Sequence, residues 1–178
     1  MSNARVYGYA LTDSEVRQLS LGARSVSYFD GIGRPIQSHS IGASENIVSG
    51  RLYDSRGLQD VTSRPASVSS SGYITDLFGS TFTPGNALPG NSPIENYYDP
   101  LVDAGDEDYA YSYTKYEQSM TNRVLENTFP GYDHRSGSGN ENKMYYSGNT
   151  VAISTSYKTW SIGELFKTIT QDPSGKQN

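Results

Sequence analysis

Residues 28–37 read YFDGIGRPIQ, and this stretch decides the fold because it has the pattern of a tight β-hairpin. Strand-forming residues precede it from position 25 and follow it to position 41. Between them, Asp30 can accept a hydrogen bond from the backbone N–H two residues on, and Gly33 can take the positive φ that closes a bulged hairpin. The stretch therefore predicts two antiparallel strands joined by a turn.

The same turn chemistry recurs twice along the chain, each time after a short strand-forming segment. Three copies, two of them preceded by aromatic strands, indicate a repeated hairpin unit. The candidate structural turn residues are Asp30, Gly33, Arg34, Asp54, Gly57, Asp172 and Gly175. We also expect ion pairs across adjacent turns, with Arg34, Arg51 and Arg123 pairing with Asp30, Asp54 or Glu117.

The rest of the chain favours an all-β fold with a thin core. Hydrophobic residues make up only 34% of the chain, while 18 glycines and 15 tyrosines suit turns and half-buried strand positions. Tyr109, Tyr111 and Tyr113 alternate with small residues and predict a strand. Residues 67–108 contain four prolines that would interrupt a central strand, so we expect a long loop pinned by aromatic side chains. The predicted class is all-β, with antiparallel hairpins and long irregular loops.

Charge and cysteine content exclude several classes of function. A net charge of −5 and a pI near 5.0 give no basic surface, so neither nucleic acid nor an anionic membrane is an expected partner. No apolar run is long enough for membrane insertion. Without cysteine there is no disulfide framework and no thiol nucleophile. The sequence has no signal peptide pattern, and we expect any export signal to lie upstream in a longer polypeptide.

Residues 4–19, ARVYGYALTDSEVRQL, combine a short alternating strand with a helix start. Thr12 and Glu15 have the spacing of a capping box. The segment resembles the last strand and closing turn of laminin-G and concanavalin-like jelly rolls, through Tyr7, Ala10, Leu11, Thr12, Glu15, Val16 and Leu19. The resemblance implies that residues 1–22 are the tail of an upstream lectin-like jelly-roll domain.

Three further segments resemble Rhs/YD-repeat proteins. Residues 28–37 are similar to the signature that opens the repeat region of many members. Residues 53–57, YDSRG, resemble the core repeat motif, although Leu58 stands where arginine is usual. Residues 116–124, YEQSMTNRV, resemble a segment of the domain that precedes the repeats in secreted bacterial members.

This second resemblance implies a non-catalytic structural segment of a secreted or cell-surface protein. Residues 23–163 would form the domain that precedes the repeats, and residues 164–178 would begin the next YD repeat. In this family the repeats wind into a β-sheet shell around a C-terminal passenger, often a polymorphic toxin. The implied partners are the remainder of the parent polypeptide and secretion or cell-surface machinery. The family's self-cleavage residues lie outside this chain, so no catalytic residue carries over and no cofactor is expected.

An acidic stretch at residues 99–108 is the best metal candidate by composition. Calcium takes several oxygen ligands, and Asp103, Asp106 and Asp108 are closely spaced carboxylates. Their spacing is not that of an EF-hand, so we expect a solvated acidic loop and no metal. Nothing in the sequence places these carboxylates, or Glu126, in the opposed pair that a glycosidase needs.

Two alternatives to the structural role stay open. Tyr109, Tyr111 and Tyr113 could form a sugar-stacking face, which would make the chain a carbohydrate-binding or adhesion module, although packing against a neighbouring strand is the favoured interpretation. The chain could also be a passenger or partner captured on a larger export assembly. His39 and His134 have no neighbour at the spacing of a triad or zinc site, so we expect them to be structural or solvated.

Overall fold

The computed structural model describes residues 24–42, 45–99, 101 and 105–176. Within this part the chain is almost entirely β, and the predicted all-β, antiparallel class is confirmed. The predicted jelly-roll tail at residues 1–22 lies outside the described residues. The strands are β1 (Arg24–Phe29), β2 (Pro35–Ile41), β3 (Asn46–Tyr53), β4 (Gln59–Ser63), β5 (Ala66–Val68), β6 (Tyr111–Tyr116), β7 (Val124–Asn127), β8 (Asn142–Gly148), β9 (Ile153–Ser154), β10 (Thr159–Trp160) and β11 (Phe166–Gln171).

Eight strands follow one another across a single main sheet, in the order β1-β2-β3-β4-β6-β7-β8-β11. Every pair in this order is antiparallel, so the main sheet is a meander built from successive hairpins. β5 pairs with β3 beside β4, and β9 and β10 form a separate two-stranded ribbon. In the described part of the chain, the edges of the main sheet are β1 and β11.

Alternating strand directions place the connections at two ends of the main sheet. Residues 30–33, 54–57 and 117–123 lie at one end, which we call the turn end, and the turn at residues 172–175 lies at the opposite end. Each hairpin at the turn end has a register shift just before its turn, at Tyr28/Phe29, Leu52/Tyr53 and Lys115/Tyr116. Such bulges increase the local twist of a sheet.

The hydrophobic core lies on one face of the central strands. Residues 69–110 supply Leu77 and Ile94, which are buried in one cluster with Val48 and Val61 of the sheet. Gly50 permits this close packing, because a Cβ atom there would lie 2.7 Å from side-chain atoms of both Leu77 and Phe78. Strand β11 is largely exposed, so the core is confined to the middle of the sheet.

The prediction of an irregular loop over residues 67–108 is wrong at three places. Strand β5 reaches Val68, a 3₁₀ helix spans Glu107–Tyr109, and residues Pro93–Tyr98 form a short helix, α1. Ser92 caps it by accepting the backbone N–H of Glu95 at 3.4 Å, and Pro93 occupies the first turn, where no N–H is needed. A proline that excludes a central strand therefore starts a helix here. Among the described residues, none of the helices has the length and apolar character to cross a membrane.

We predict that Gly33→Val lowers the free energy of unfolding by roughly 1–3 kcal/mol, because a β-branched residue is strained at positive φ. Gly33 has a φ of +86°, and nothing lies within 4 Å of a Cβ atom built on it, so the cost is conformational. Gly31→Val is the matched control, since Gly31 lies in the same turn with equally open space and without positive φ. Urea unfolding measures both variants, and an equal loss of stability would contradict the turn geometry.

Candidate functional site

The most repeated local geometry in the structure is a carboxylate that closes a hairpin turn. In the first turn, Oδ1 of Asp30 accepts the backbone N–H of Ile32 at 3.0 Å and of Arg34 at 2.9 Å. The N–H of Asp30 donates to the carbonyl of Arg34 at 2.9 Å, and the N–H of Gly33 donates to the carbonyl of Asp30 at 3.0 Å. One side chain therefore fixes both the turn and the first pair of the hairpin.

Asp54 makes the same set of bonds in the second turn. Its Oδ1 accepts the backbone N–H groups of Arg56 and Leu58, both at 2.9 Å. Its own N–H donates to the carbonyl of Leu58 at 2.8 Å. Gly57 has a φ of +86° and donates its N–H to the carbonyl of Asp54 at 2.9 Å.

Asp172 makes the same set of hydrogen bonds in a third turn, at the opposite end of the sheet. Its Oδ1 accepts the N–H groups of Ser174 at 2.9 Å and Lys176 at 3.0 Å. Its own N–H donates to the carbonyl of Lys176 at 3.0 Å, and Gly175, with a φ of +79°, donates to the carbonyl of Asp172 at 2.9 Å. The turn residues named from the sequence thus lie in three copies of one turn.

The loop at residues 117–123 is closed in a similar way by a longer side chain. The N–H of Glu117 donates to the carbonyl of Arg123 at 2.9 Å. The Glu117 carboxylate accepts hydrogen bonds from Nε and Nη2 of Arg123 at 2.8 and 2.9 Å. It also accepts hydrogen bonds from the hydroxyls of Ser119 and Thr121. Asn122 adopts a φ of 50°, which asparagine tolerates better than most residues.

Arg34 connects the first turn to the second. Its Nε lies 2.7 Å from Oδ2 of Asp30, and its guanidinium carbon lies 4.3 Å from the ring centroid of Tyr53. A Cβ atom on Gly57 would be 2.8 Å from Nη1 of Arg34, so glycine at this position also makes room for the guanidinium. The two neighbouring turns therefore pack on one arginine.

A second connection, which we call the tyrosine latch, joins each hairpin at the turn end to the strand beyond it. In each latch a tyrosine hydroxyl on the next strand donates to the backbone carbonyl of the first residue of the hairpin's second strand. Because the bond links adjacent strands near their ends, it holds one hairpin against its neighbour. The three latches join Tyr53 to Pro35, Tyr116 to Gln59 and Tyr146 to Val124, at 2.9, 3.0 and 2.9 Å.

The first and third latches each contain an arginine in addition to the tyrosine. The guanidinium carbon of Arg123 lies 4.4 Å from the ring centroid of Tyr146, just as Arg34 lies over Tyr53. Cation–π contacts of this kind add to the attraction between the strands. Carboxylate, arginine and tyrosine therefore form the same three-part unit twice in this sheet.

In the second hairpin a different arginine contacts the turn carboxylate, because Leu58 occupies the position that corresponds to Arg34. Arg56 pairs with the turn carboxylate, with Nη2 2.7 Å from Oδ2 of Asp54. The same guanidinium donates to the carbonyl of Glu117 and, at 3.0 Å, to Oδ1 of Asn122. Arg56 thus joins the second turn to the third.

The predicted ion pairs are therefore partly different from those in the structure. Arg34 and Arg123 contact the carboxylates of Asp30 and Glu117, but each pair lies within one turn and not across adjacent turns as the sequence predicts. Arg51 does not pair with a turn carboxylate among the described residues, and its Nη1 donates to the hydroxyl of Ser38 at 3.3 Å. Arg56, which the sequence analysis does not single out, pairs with Asp54 instead.

Hydrogen bonds at the turns keep these carboxylates ionised. The backbone N–H and guanidinium of Arg34 lower the pKa of Asp30. The guanidinium of Arg123, helped by two hydroxyls, lowers the pKa of Glu117 strongly. Burial opposes ionisation of Asp54, but the N–H of Leu58 and the Arg56 side chain still leave its pKa lowered. Groups of this kind suit permanent ion pairs better than proton transfer near neutral pH.

Two carboxylates of the acidic stretch at residues 99–108 accept backbone N–H groups. Oδ1 of Asp106 accepts the N–H of Tyr132 at 2.7 Å, and Oε2 of Glu107 accepts the N–H of Gly105 at 2.8 Å. Burial and the neighbouring Glu107 raise the pKa of Asp108. Asp103 lies outside the described residues. Across residues 24–42, 45–99, 101 and 105–176, no three His, Cys, Asp or Glu side chains are grouped so that they could hold a metal ion.

The three candidate sugar-stacking tyrosines do not form one exposed stripe. Tyr109 ends a short 3₁₀ helix and is not part of a strand, because β6 begins at Tyr111. Tyr111 is only 3% exposed, its ring meets Phe82 edge-on with centroids 5.1 Å apart, and its hydroxyl donates to a backbone carbonyl. Tyr113 packs against the core beside Gly85. The ring of Tyr111 is therefore not available to stack on a sugar.

His39 is a buried structural group that pins residue 74 to the sheet through Gln37. The N–H of Ile74 donates to Oε1 of Gln37 at 3.1 Å, and Nε2 of Gln37 donates to the carbonyl of Ile74. Because this pairing fixes Oε1 as an acceptor, Nε2 of His39, 3.1 Å away, carries the proton. Nδ1 of His39 is buried without a partner, and burial lowers the pKa of the ring.

The tyrosine latch is not predicted from the sequence. Two of the three latch tyrosines have a local feature in common, because Tyr53 and Tyr116 each stand directly before a turn carboxylate, Asp54 or Glu117, but this feature does not show which carbonyl the hydroxyl reaches. The acid closes its own hairpin, and the tyrosine reaches back to the previous one. In these two hairpins, a tyrosine followed by an acidic residue supplies both the turn and its connection.

A family model described as a domain of unknown function (DUF6443) matches residues 5–147, which is most of the chain. No curated protein matches the sequence.

We predict that Tyr53→Phe lowers the free energy of unfolding by about 0.5–1.5 kcal/mol, because it removes the latch hydroxyl while keeping the ring under Arg34. Tyr157→Phe is the control, since Tyr157 is 96% exposed and its change should cost less than about 0.5 kcal/mol. Chemical denaturation measures both. Equal effects would mean that the latch bond does not stabilise the sheet.

We also predict that His39 makes the free energy of unfolding decrease at acidic pH. Its folded-state pKa lies below the ordinary value of 6.5, so the unfolded chain gains the proton first as the pH falls. The stabilisation that depends on neutral His39 is fully present above pH 6.5. It is lost progressively as the pH falls toward the lowered pKa of the folded state. Unfolding free energies between about pH 5 and 8 should therefore decline with acid in the wild type and in His134→Gln, and less in His39→Gln. Identical pH profiles for the wild type and His39→Gln would refute this.

Proposed function

We propose that this chain, which belongs to the DUF6443 family of domains of unknown function, is a non-catalytic section of the β-sheet wall of a large secreted or cell-surface Rhs/YD-repeat protein. The observation that carries the proposal is the repeated unit of turn carboxylate and tyrosine latch. A unit that closes its own hairpin and binds the previous one can extend a sheet hairpin by hairpin. This is the property that a wall needs.

The shape of the main sheet supports a role in a larger structure. It is one continuous meander, and the described residues cover its middle with a core while leaving β1 and β11 at the edges. Unpaired strand edges attract further strands, and monomeric proteins usually protect them. In the proposed function these edges belong to a longer sheet.

The resemblance to Rhs/YD-repeat proteins supports the proposal independently of the edges. Residues 28–37 and 53–57, which carry that resemblance, contain the first two carboxylate turns, and residues 116–124 contain the third closure at the turn end. The segments that look like the family are therefore those that join hairpins. In that family the wall surrounds a C-terminal passenger or toxin, which is the role we propose for the assembled protein.

The hydrogen bonding of the polar groups at the turn end favours a structural role. Its carboxylates are held by N–H and guanidinium groups that lower their pKa, and its tyrosine hydroxyls are bonded to backbone carbonyls. Each polar group thus has a partner that fixes strand position. The proposed partners are the remainder of the parent polypeptide and, at the cell surface, the machinery that exports it.

Electron cryomicroscopy of the longer parent polypeptide tests this proposal. We expect residues 24–171 to form part of a continuous β-sheet that encloses an internal space. A separate domain on a flexible linker, with both sheet edges in solvent, would contradict the wall. Specific binding of the isolated chain on a glycan array, abolished by Tyr113→Ala and kept by Tyr157→Ala, would favour the adhesion module instead.

A further inference from the structure

We infer that the cleft between strand β5 and helix α1, beside Tyr97, binds neutral sugar residues of a glycan chain. This cleft, which we call the Tyr97 cleft, lies on the core side of the sheet and contains none of the turn carboxylates or latch tyrosines. The inference goes beyond the proposed function and does not depend on it, because a segment of a wall can carry such a site on its surface.

The Tyr97 cleft consists of two adjoining concavities, with volumes of about 360 and 430 Å³. Sites for small ligands commonly have volumes in this range. Tyr97 and residues 67–69 line both concavities, so a ligand can extend from one into the other. Glu45 and Asn46 also line the first concavity, and Ile74, Pro93 and Asn96 also line the second.

The two concavities offer different chemical groups. The first has the carboxylate of Glu45 and the amide of Asn46. The second has the apolar side chains of Ile74 and Pro93 beside the ring of Tyr97. A sugar ring is divided in the same way, because its hydroxyls donate and accept hydrogen bonds while its C–H groups form an apolar face. Amide and carboxylate groups bond such hydroxyls, and the electron-rich face of an aromatic ring attracts the C–H groups.

The charge of the Tyr97 cleft favours a neutral ligand. Among the described residues that line the cleft, Glu45 is the only charged side chain. Phosphate and carboxylate ligands are bound by arginine or lysine, and these lining residues include neither. A carboxylate can still accept hydrogen bonds from the hydroxyls of an uncharged sugar.

Tyr97 is held in place by the side of α1 that enters the core. Ile94 and Tyr98 are buried there, and the hydroxyl of Tyr98 donates to the carbonyl of Pro65. The ring of Tyr98 meets that of Tyr97 edge-on, with the centroids 5.0 Å apart. Tyr97 itself is only partly buried. A ring that is fixed before binding loses little conformational freedom when a ligand stacks on it.

Asn96 presents a fixed hydrogen-bond acceptor at the exposed side of the second concavity. Its Nδ2 donates to the carbonyl of Ser92 at 2.9 Å and to that of Gly90 at 3.3 Å. Both amide hydrogens are therefore used by the backbone, and Oδ1 is left to accept a hydroxyl. The second concavity thus combines a fixed aromatic ring with a fixed acceptor.

An extended peptide is the other kind of ligand that a surface groove takes, and the Tyr97 cleft suits it less well. Grooves that bind proline-rich peptides are lined by aromatic rings, and Tyr97 is the only aromatic side chain among the described residues of this lining. Addition of a peptide strand uses an exposed sheet edge, and β5 has only 3 residues. The lining therefore favours a sugar.

Binding of the 178-residue chain to immobilised oligosaccharides tests the inference. The probes are the neutral hexasaccharides cellohexaose, maltohexaose and chitohexaose, with heparin hexasaccharide and decaproline as the anionic and peptide alternatives. We expect the chain to bind at least one neutral probe and neither alternative. A chain that binds none of the neutral probes would overturn the inference, and so would preferential binding to heparin hexasaccharide or to decaproline.

Two substitutions in the same exposed segment locate the site. Ser69→Trp places a large ring in the cleft, and Ser71→Trp is the matched control, because both serines are exposed and only Ser69 lines the cleft. We expect Ser69→Trp to weaken binding by about tenfold or more and Ser71→Trp to leave it unchanged. The Tm of both variants should stay close to that of the wild type. Equal binding by the two variants would contradict the location of the site.

Two further variants test the ring of Tyr97. Tyr97→Phe keeps the ring and should bind as the wild type does, whereas Tyr97→Ala should weaken binding by about tenfold or more. Undiminished binding by Tyr97→Ala would overturn the role of the ring. If Tyr97→Ala does not fold, Ser69→Trp decides the matter, because Ser69 is exposed and lies outside the core.

Discussion

The structure depends on carboxylates that accept backbone N–H groups at the start of four turns. Asp30, Asp54 and Asp172 make the same bonds, and Glu117 makes an extended version of them. Each carboxylate holds a tight reversal of the chain, which is why the strands follow one another across the sheet as a meander. Since three of the carboxylates also bind an arginine, the closure of one turn is linked to the position of its neighbours.

This constraint compensates for a small hydrophobic core. Burial is concentrated around Val48, Val61, Leu77 and Ile94, and the strands toward β11 have little covering on either face. The turn end supplies cohesion of another kind, through latch hydroxyls and through arginines stacked on tyrosine rings. A sheet fixed in this way does not need a thick second layer, which is compatible with the proposed wall.

Sequence predicts the parts of this arrangement that are local. The Asp-x-x-Gly turns and the strands beside them depend on neighbouring residues, and they lie where the pattern places them. The helix at Pro93–Tyr98 is missed because Ser92 acts as its cap only once Ile94 and Tyr98 have a core to enter. The prediction that Arg51 pairs with a turn carboxylate is wrong for a similar reason, since the twist of the turn determines which side chain reaches Asp54. The latches join residues up to 57 positions apart, and no short pattern reports such a distance.

The central claim is that the turn carboxylate and the latch act together through the arginine between them. A double-mutant cycle with Asp30→Asn and Tyr53→Phe measures this most directly, because Asn keeps an oxygen for the turn while losing the ion pair with Arg34. The account predicts a coupling free energy of about 0.5 kcal/mol or more between the two substitutions in urea unfolding. Additive effects, with no coupling beyond experimental error, would contradict it.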